Sequence, residues 1–206
     1  MKKVLILGAN GRVGFRLVKL FLEKNFLVTA LVRDSKNLDL SHPNLEIIEI
    51  DLREKEKLNS LIQDKDIILS CLSGKKTKPD YSILSIPIFN MLEEIQTQRL
   101  IIVAGAGILD DEEYGLRRNR PNYPEIFKWV SAENWKIYEV LKKTEVRWTM
   151  LCCPEMPDGA ETNQFRLKKD YLPENGNRIS TGDVALAILA ILDDKTYFNS
   201  RVGLAY

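Results

Sequence analysis

Residues 4–7 of this chain, Val-Leu-Ile-Leu, form an uninterrupted apolar run that stops at Gly8-Ala9-Asn10-Gly11-Arg12-Val13-Gly14. A short apolar run without alternation reads as a strand buried on both faces, as in the parallel sheet of an α/β protein. Directly after the turn Val13, Leu17, Leu20 and Phe21 recur at helical spacing. Strand, glycine turn and helix in that order constrain the fold more than any other feature. A tight strand-to-helix turn needs a residue that tolerates positive φ, a second glycine lets a pyrophosphate approach the backbone, and a third allows close helix–strand packing. The phosphates then meet free N–H groups and the positive end of the helix dipole. A glycine-rich turn without a ligand is the plainer reading, but it does not require all three elements together. Asn10, Arg12 and Val13 join the three glycines as expected cofactor contacts.

The rest of the chain repeats the alternation. Apolar runs at 26–32, 45–50, 66–71, 99–104, 146–153 and 202–205 read as further strands, roughly seven in all. Helical periodicity marks 55–62, 81–96, 125–143 and 181–192. The expectation is one Rossmann-type α/β domain over residues 1–206, a doubly wound, mainly parallel sheet with helices on both faces. Residues 107–124, with Asp110-Asp111-Glu112-Glu113 and Arg117-Arg118-Asn119-Arg120, read as a long, solvated surface loop.

A formal charge of +1 argues against a nucleic-acid partner. No stretch approaches the ~18 apolar residues of a membrane span, and the first apolar run is too short for an export signal. A cytoplasmic protein is therefore expected, as a monomer or homodimer. Three cysteines without zinc spacing imply no metal, and adjacent Cys152 and Cys153 read as small core residues.

The second strand ends in Leu31-Val32-Arg33-Asp34, where a dinucleotide fold meets the adenosine ribose. A carboxylate there suits NAD, whereas the fork of Arg33 suits a 2′-phosphate, so NADP(H) is favoured over NAD(H). Arg12 could add a second cation, and Asp34 could face away or cap the next turn. Asp51-Leu52 follows the third strand; Asp51 could hold the adenine amino group while Leu52 packs on the ring, or Asp51 could cap the helix starting near Glu54. Cys71, Leu72 and Ser73 would run beside the ribose and nicotinamide, and Gly105 would follow at the end of the fifth strand. Gly74-Lys75-Lys76-Thr77 lacks the first glycine of a P-loop, because Leu69 stands there. His42 falls on the adenosine side and reads as a loop residue.

In this order the segments resemble the atypical short-chain dehydrogenase/reductase superfamily, in its NmrA-like and biliverdin reductase B (flavin reductase)-like branch. The resemblance covers nearly the whole chain. It rests on residues 4–14, Leu31-Val32-Arg33-Asp34, Asp51, residues 103–107, Trp148-Thr149-Met150-Leu151 before Pro154, and Ile179-Ser180-Thr181-Gly182-Asp183-Val184-Ala185. Physical reading of the last segment agrees, with Ser180 or Thr181 as helix cap and Asp183 in the first turn.

Many such reductases place Ser after the fifth strand and Tyr-x-x-x-Lys on the next helix, where the tyrosine protonates a carbonyl as hydride arrives. Here Gly105-Ala106-Gly107 supplies no hydroxyl. Tyr138 and Lys142 match the pair by spacing, yet counted back from Trp148 they fall late in the helix, and a packing or surface tyrosine is favoured. Asn134 falls where relatives carry Lys or His. Tyr138 and Asn134 are the catalytic candidates.

The resemblance implies an NAD(P)H-dependent oxidoreductase passing hydride to a small acceptor (flavin, quinone or carbonyl), with positioning in place of acid–base side chains. Residues 72–79, 106–109 and 155–159 would wall the acceptor pocket, with 107–124 as lid. The alternative is a non-catalytic NAD(P) sensor acting through a protein partner. An epimerase would need a second lobe for which the chain has little room.

Overall fold

The computed structural model describes residues 1–73 and 82–206. Its centre is an eight-stranded sheet. Seven strands run parallel, in the spatial order β3 (Leu45–Glu49), β2 (Leu27–Val32), β1 (Lys3–Leu7), β4 (Ile67–Ser70), β5 (Arg99–Gly105), β8 (Arg147–Cys153) and β10 (Ser200–Ala205). The last, β9 (Arg166–Lys169), pairs antiparallel with β10 at the edge. The first six follow the dinucleotide-binding order 3-2-1-4-5-6, with the switch point between β1 and β4. The expected Rossmann architecture is therefore the observed one.

The apolar run of β1 is explained by what lies on each face. Val4 and Ile6 join the core under α1 (Arg12–Glu23) and α5 (Thr181–Ala190). Leu5 and Leu7 point oppositely, into the core under α2 (Lys55–Ile62), α3 (Ser82–Leu92) and α4 (Glu125–Leu141). Successive strand residues alternate between faces, so a strand covered on both sides has no polar position to offer.

Register brings the functional strand ends level. Leu7 pairs with Leu31 on one side and Ser70 on the other, so Gly8, Val32 and Cys71 emerge together at the carboxyl edge. β5 reaches three residues further, to Gly105 opposite Cys153.

Four expectations need correction. The 107–124 segment is not an open loop. It contains a 3-10 turn at Ala106–Ile108, a small hairpin of β6 (Asp110–Asp111) and β7 (Gly115–Leu116), and a second 3-10 turn at Arg117–Asn119. Nor is its charge all solvated: both Asp110 oxygens accept from Arg201 at 2.9 Å, and buried Asp111 pairs with Arg120. Finally, β9 (Arg-Leu-Lys-Lys) is an eighth sheet strand that apolar patterning cannot reveal. Charged residues suit an exposed sheet edge, where they discourage further pairing. The helix expected over 81–96 is described from Ser82 and ends at Leu92.

Candidate functional site

The glycine turn divides its labour among three positions. Gly8 has φ +77, and a Cβ there would lie 2.9 Å from the Cys71 carbonyl oxygen. At Gly14 a Cβ would lie 2.2 Å from the Gly8 carbonyl oxygen and 2.9 Å from Ala9 Cα, so this position sets how closely α1 meets β1. Gly11 is more open, its nearest neighbour being the Gly8 oxygen at 3.1 Å. It is also the N-cap of α1, with no side-chain cap hydrogen bond and no acidic residue in the first turn. The first N–H groups of α1 are thus left without a side-chain cap at the positive end of the helix, a position that favours anions in general.

Two adjoining clefts open along this carboxyl edge. The larger, about 480 Å3, runs from the turn over the ends of β1, β2 and β3. Gly8, Asn10 and Gly11 border it beside Arg33, Asp51, Leu52, Cys71, Leu72 and Ser73. Arg33 is exposed on its rim. Asp34 turns away and caps the following 3-10 turn, its Oδ1 accepting from Lys36 N at 3.0 Å.

Asp51 does not cap α2; Glu54 holds the N-cap position. Instead both Asp51 oxygens accept from the Arg53 guanidinium at 2.6–3.1 Å, and Oδ1 also accepts from Arg53 N. Those hydrogen bonds, with the nearby positive charges of Arg53 and Arg33, hold the carboxyl down to about 2. Sequence reading missed Arg53 and Ile83 as wall residues, although Arg53 stands two places after Asp51. A pattern search stops at the carboxylate and cannot see its partner fold back.

The smaller cleft, about 230 Å3, shares Gly11, Cys71, Leu72 and Ser73 with the first and continues toward the end of β5. Arg12 and Val13 lie here rather than in the larger cleft. Arg12 does not point toward Arg33: its guanidinium donates to the Met156 carbonyl at 2.6 Å, tying the turn to the segment after β8. Gly105 and Asn134 face each other across this cleft, Asn134 Nδ2 lying 3.8 Å from where a Gly105 Cβ would stand.

Other expected residues lie elsewhere. Tyr138 lines neither cleft. Its ring packs against Trp135 and Trp148, with the Arg201 guanidinium 4.5 Å from its centroid, and Lys142 donates to Glu139. One turn of helix separates it from Asn134, and that rise carries it out of reach of the strand ends. Ala106, Ile108 and Leu109 are buried in the core beneath α4 and line neither of these two clefts. Of the wall expected over 155–159, Met156 lines the smaller cleft. The part of 72–79 beyond Ser73, with Gly74-Lys75-Lys76-Thr77, lies outside the described residues. His42 closes its own loop, Nδ1 accepting from Asn44 N at 3.1 Å.

The cysteines are free, and burial pushes the Cys71 and Cys152 thiols up to about 12 and raises the Cys153 thiol well above its ordinary value. Since only the thiolate reacts, alkylation of the native protein at pH 8 should be slow. Mass spectrometry should find Cys152 and Cys153 labelled promptly only after denaturation; rapid native labelling of either would contradict its enclosure.

A buried carboxylate holds the segment that supplies Met156. Ser180 Oγ caps α5 by accepting from Asp183 N at 3.0 Å. Asp183, fully enclosed, reaches back to the 160s: Oδ1 accepts from Thr162 N and Asn163 N at 2.8 Å. Its Oδ2 accepts from the Thr162 hydroxyl at 2.7 Å and the Tyr206 hydroxyl at 2.6 Å. Burial by itself raises this carboxyl, but the hydrogen bonds from Tyr206, Thr162 and Asn163 outweigh it and hold the pKa below the usual range. Nearby, Asp158 accepts from Arg16 of α1 at 3.0 Å and Thr181 of α5 at 2.8 Å.

The same fold recurs in other proteins. The chain is 24% identical to the uncharacterised protein YwnB of Bacillus subtilis over 208 residues, 97% of this chain and 96% of that one. A putative epimerase from Bacteroides thetaiotaomicron superposes with a TM-score of 0.87 at 23% identity, covering 100% of this chain and 97% of that one. A putative NADH-flavin reductase from Streptococcus pneumoniae gives 0.84 at 24% identity, covering 100% and 99%. The model of the family described as NAD(P)H-binding matches residues 8–195, from the first glycine of the turn to beyond α5. The atypical short-chain dehydrogenase/reductase resemblance and a nicotinamide dinucleotide cofactor both agree with that match, and the chain belongs to the NAD(P)H-binding family.

Proposed function

We propose that the protein is an NADPH-dependent reductase that passes hydride to a small acceptor. The observation that carries this reading is the pair of adjoining clefts meeting at the glycine turn. The larger has room for the adenosine half, the N–H groups of α1 face the pyrophosphate, and the smaller takes the nicotinamide with space beside it for an acceptor. When bound, the nicotinamide supplies the hydride. The chain's own residues orient the two reactants and exclude water. The putative NADH-flavin reductase with the same fold is consistent with this chemistry. We further propose a cytoplasmic monomer or homodimer; among the described residues no helix is long and apolar enough to cross a membrane.

The preference for NADPH rests on Arg33, whose planar fork suits a 2′-phosphate, and on Asp34 being engaged with Lys36 N. Arg33→Ala is expected to weaken NADPH by about 1.5–3 kcal/mol, the scale of a hydrogen bond to a charged group, and to leave NADH almost unchanged. Calorimetry with both cofactors checks this, and equal losses for the two would refute the assignment.

A sensor is the second reading, favoured by the exposed apolar residues Ile126, Phe127 and Trp129 at the start of α4, beside the smaller cleft. Incubation with NADPH and a panel of flavins, quinones and carbonyls separates the two readings. Turnover supports the reductase; tight NADPH binding without turnover of any acceptor supports the sensor.

A further inference from the structure

Two arginines and a carboxylate meet at the adenosine end of the larger cleft. Val32 pairs with Glu49, and Ile50 N–H donates to the Val32 carbonyl at 3.0 Å, so Arg33 and the 51–54 turn leave neighbouring strand ends side by side. The turn is closed by its own polar groups. Glu54 N–H donates to the Asp51 carbonyl at 2.9 Å, Asp51 N–H to Glu54 Oε1 at 3.2 Å and Arg53 N–H to Asp51 Oδ1 at 3.0 Å. The Arg53 guanidinium adds a fork onto both Asp51 oxygens, yet its side chain is 61% exposed and that of Asp51 45%. An ion pair so exposed is weak, and the turn keeps its other bonds when the guanidinium leaves. Two hydrogen bonds already reach each Asp51 oxygen, about the capacity of a carboxylate, which leaves little for an adenine amino group.

We propose that Arg53 is a second arginine for the 2′-phosphate of NADP(H), and that Asp51 competes with that phosphate for its guanidinium. This rests on the NADPH reading and makes the strength of the preference depend on Arg53 and Asp51 as well as on Arg33. The physical reason is charge. A phosphate monoester carries a charge of about −1.5 to −2 near neutral pH, more than a carboxylate, and offers three acceptor oxygens. A guanidinium on a long, exposed stem therefore gains by moving from Asp51 to the phosphate. Arg33 meets the phosphate from the β2 side and Arg53 from the β3 side. Asp51, left beside the phosphate with its own charge, weakens NADPH and hardly affects NADH. A carboxylate that held the adenine amino group would instead strengthen both cofactors. The two roles differ in sign.

The test is calorimetry on wild type, Arg53→Met, Asp51→Asn and Asp51→Ala with NADPH, NADH, adenosine 2′,5′-bisphosphate and 5′-AMP. The last two isolate the adenosine half and need no turnover. Arg53→Met keeps most of the stem and should weaken NADPH and the bisphosphate about tenfold, the low end for a hydrogen bond to a charged group because the site is exposed. NADH and 5′-AMP should stay within about twofold. Asp51→Asn keeps the acceptor for Arg53 N–H and should tighten NADPH about threefold, with NADH within about twofold, and high salt should erase that gain. Asp51→Ala should also tighten NADPH and spare NADH. Weaker binding of both cofactors by Asp51→Ala would return Asp51 to the adenine and overturn the proposal. A preference for the bisphosphate over 5′-AMP that is lost in Arg33→Ala but kept in Arg53→Met would overturn the role of Arg53 alone. Wild type that binds the bisphosphate no better than 5′-AMP would overturn the NADPH reading itself.

Discussion

Gly14→Ala is expected to destabilise the protein by about 3 kcal/mol or more, toward the upper end for an overpacked site, because the added methyl meets backbone and not a yielding side chain. The Gly8 carbonyl oxygen would lie 2.2 Å away, so either α1 must lift from β1 or the turn must open. Urea denaturation measures the loss, and cofactor affinity falls with it because the N–H groups move. Gly11→Val should behave differently. Its side chain enters the space between the two clefts, with no backbone atom closer than 3.1 Å to the new Cβ. The fold should survive with a near-native urea midpoint, while NADPH binding drops on the order of 100-fold or more through loss of charge-assisted contacts to the pyrophosphate. Unchanged NADPH affinity in Gly11→Val would remove the basis for placing the cofactor on this turn.

Asp183→Ala should be comparably damaging, at about 3–5 kcal/mol, the scale of breaking a buried charged network. The cost is set by what the carboxylate leaves behind: the N–H groups of Thr162 and Asn163 and the hydroxyl of Tyr206 lose their acceptor together. Asp183→Asn keeps one oxygen acceptor and should cost less. The linkage has a definite sign. Because the folded-state pKa lies below the unfolded value, the carboxylate contributes stability that is fully present above the unfolded pKa and is lost as pH falls through the folded one. Wild type should therefore lose stability on acidification below about pH 4 more steeply than Asp183→Asn, measured by denaturant midpoint against pH, where about 3.9 is the ordinary aspartate value. Parallel acid profiles would show that Asp183 titrates alike in both states. Through Met156 and the Arg12 contact, Asp183→Ala should also weaken the cofactor, although Asp183 lines neither cleft.

Much of the architecture could be read without coordinates because it is local. A strand covered on both faces must be apolar throughout, as 4–7 is. A turn that combines positive φ at Gly8 with contact at Gly14 accepts few other residues, and its position between strand and helix identifies the ligand it can face. Asp34 as a cap and Cys152 and Cys153 as core residues followed from equally short-range chemistry. The strand β9 and the β6–β7 hairpin escaped notice because their stability comes from pairing and from Arg201, 35 residues beyond Arg166, and not from a hydrophobic pattern of their own.

What only the tertiary structure decided is where side chains from distant segments converge. Spacing offered Tyr138 and the family resemblance Asn134, both on one helix; a single turn puts the first against Trp148 and Arg201 and the second opposite Gly105. Arg12 offered a possible second cation beside Arg33 until Met156, 144 residues away, took its guanidinium. A helix rotates about 100° per residue, so the direction of a side chain depends on a packing register that no local pattern encodes. The sequence therefore determined the scaffold and the glycine turn, both built from short-range backbone geometry and burial. The smaller cleft, assembled from α1, β5, α4 and the segment after β8, exists only once those elements are packed together.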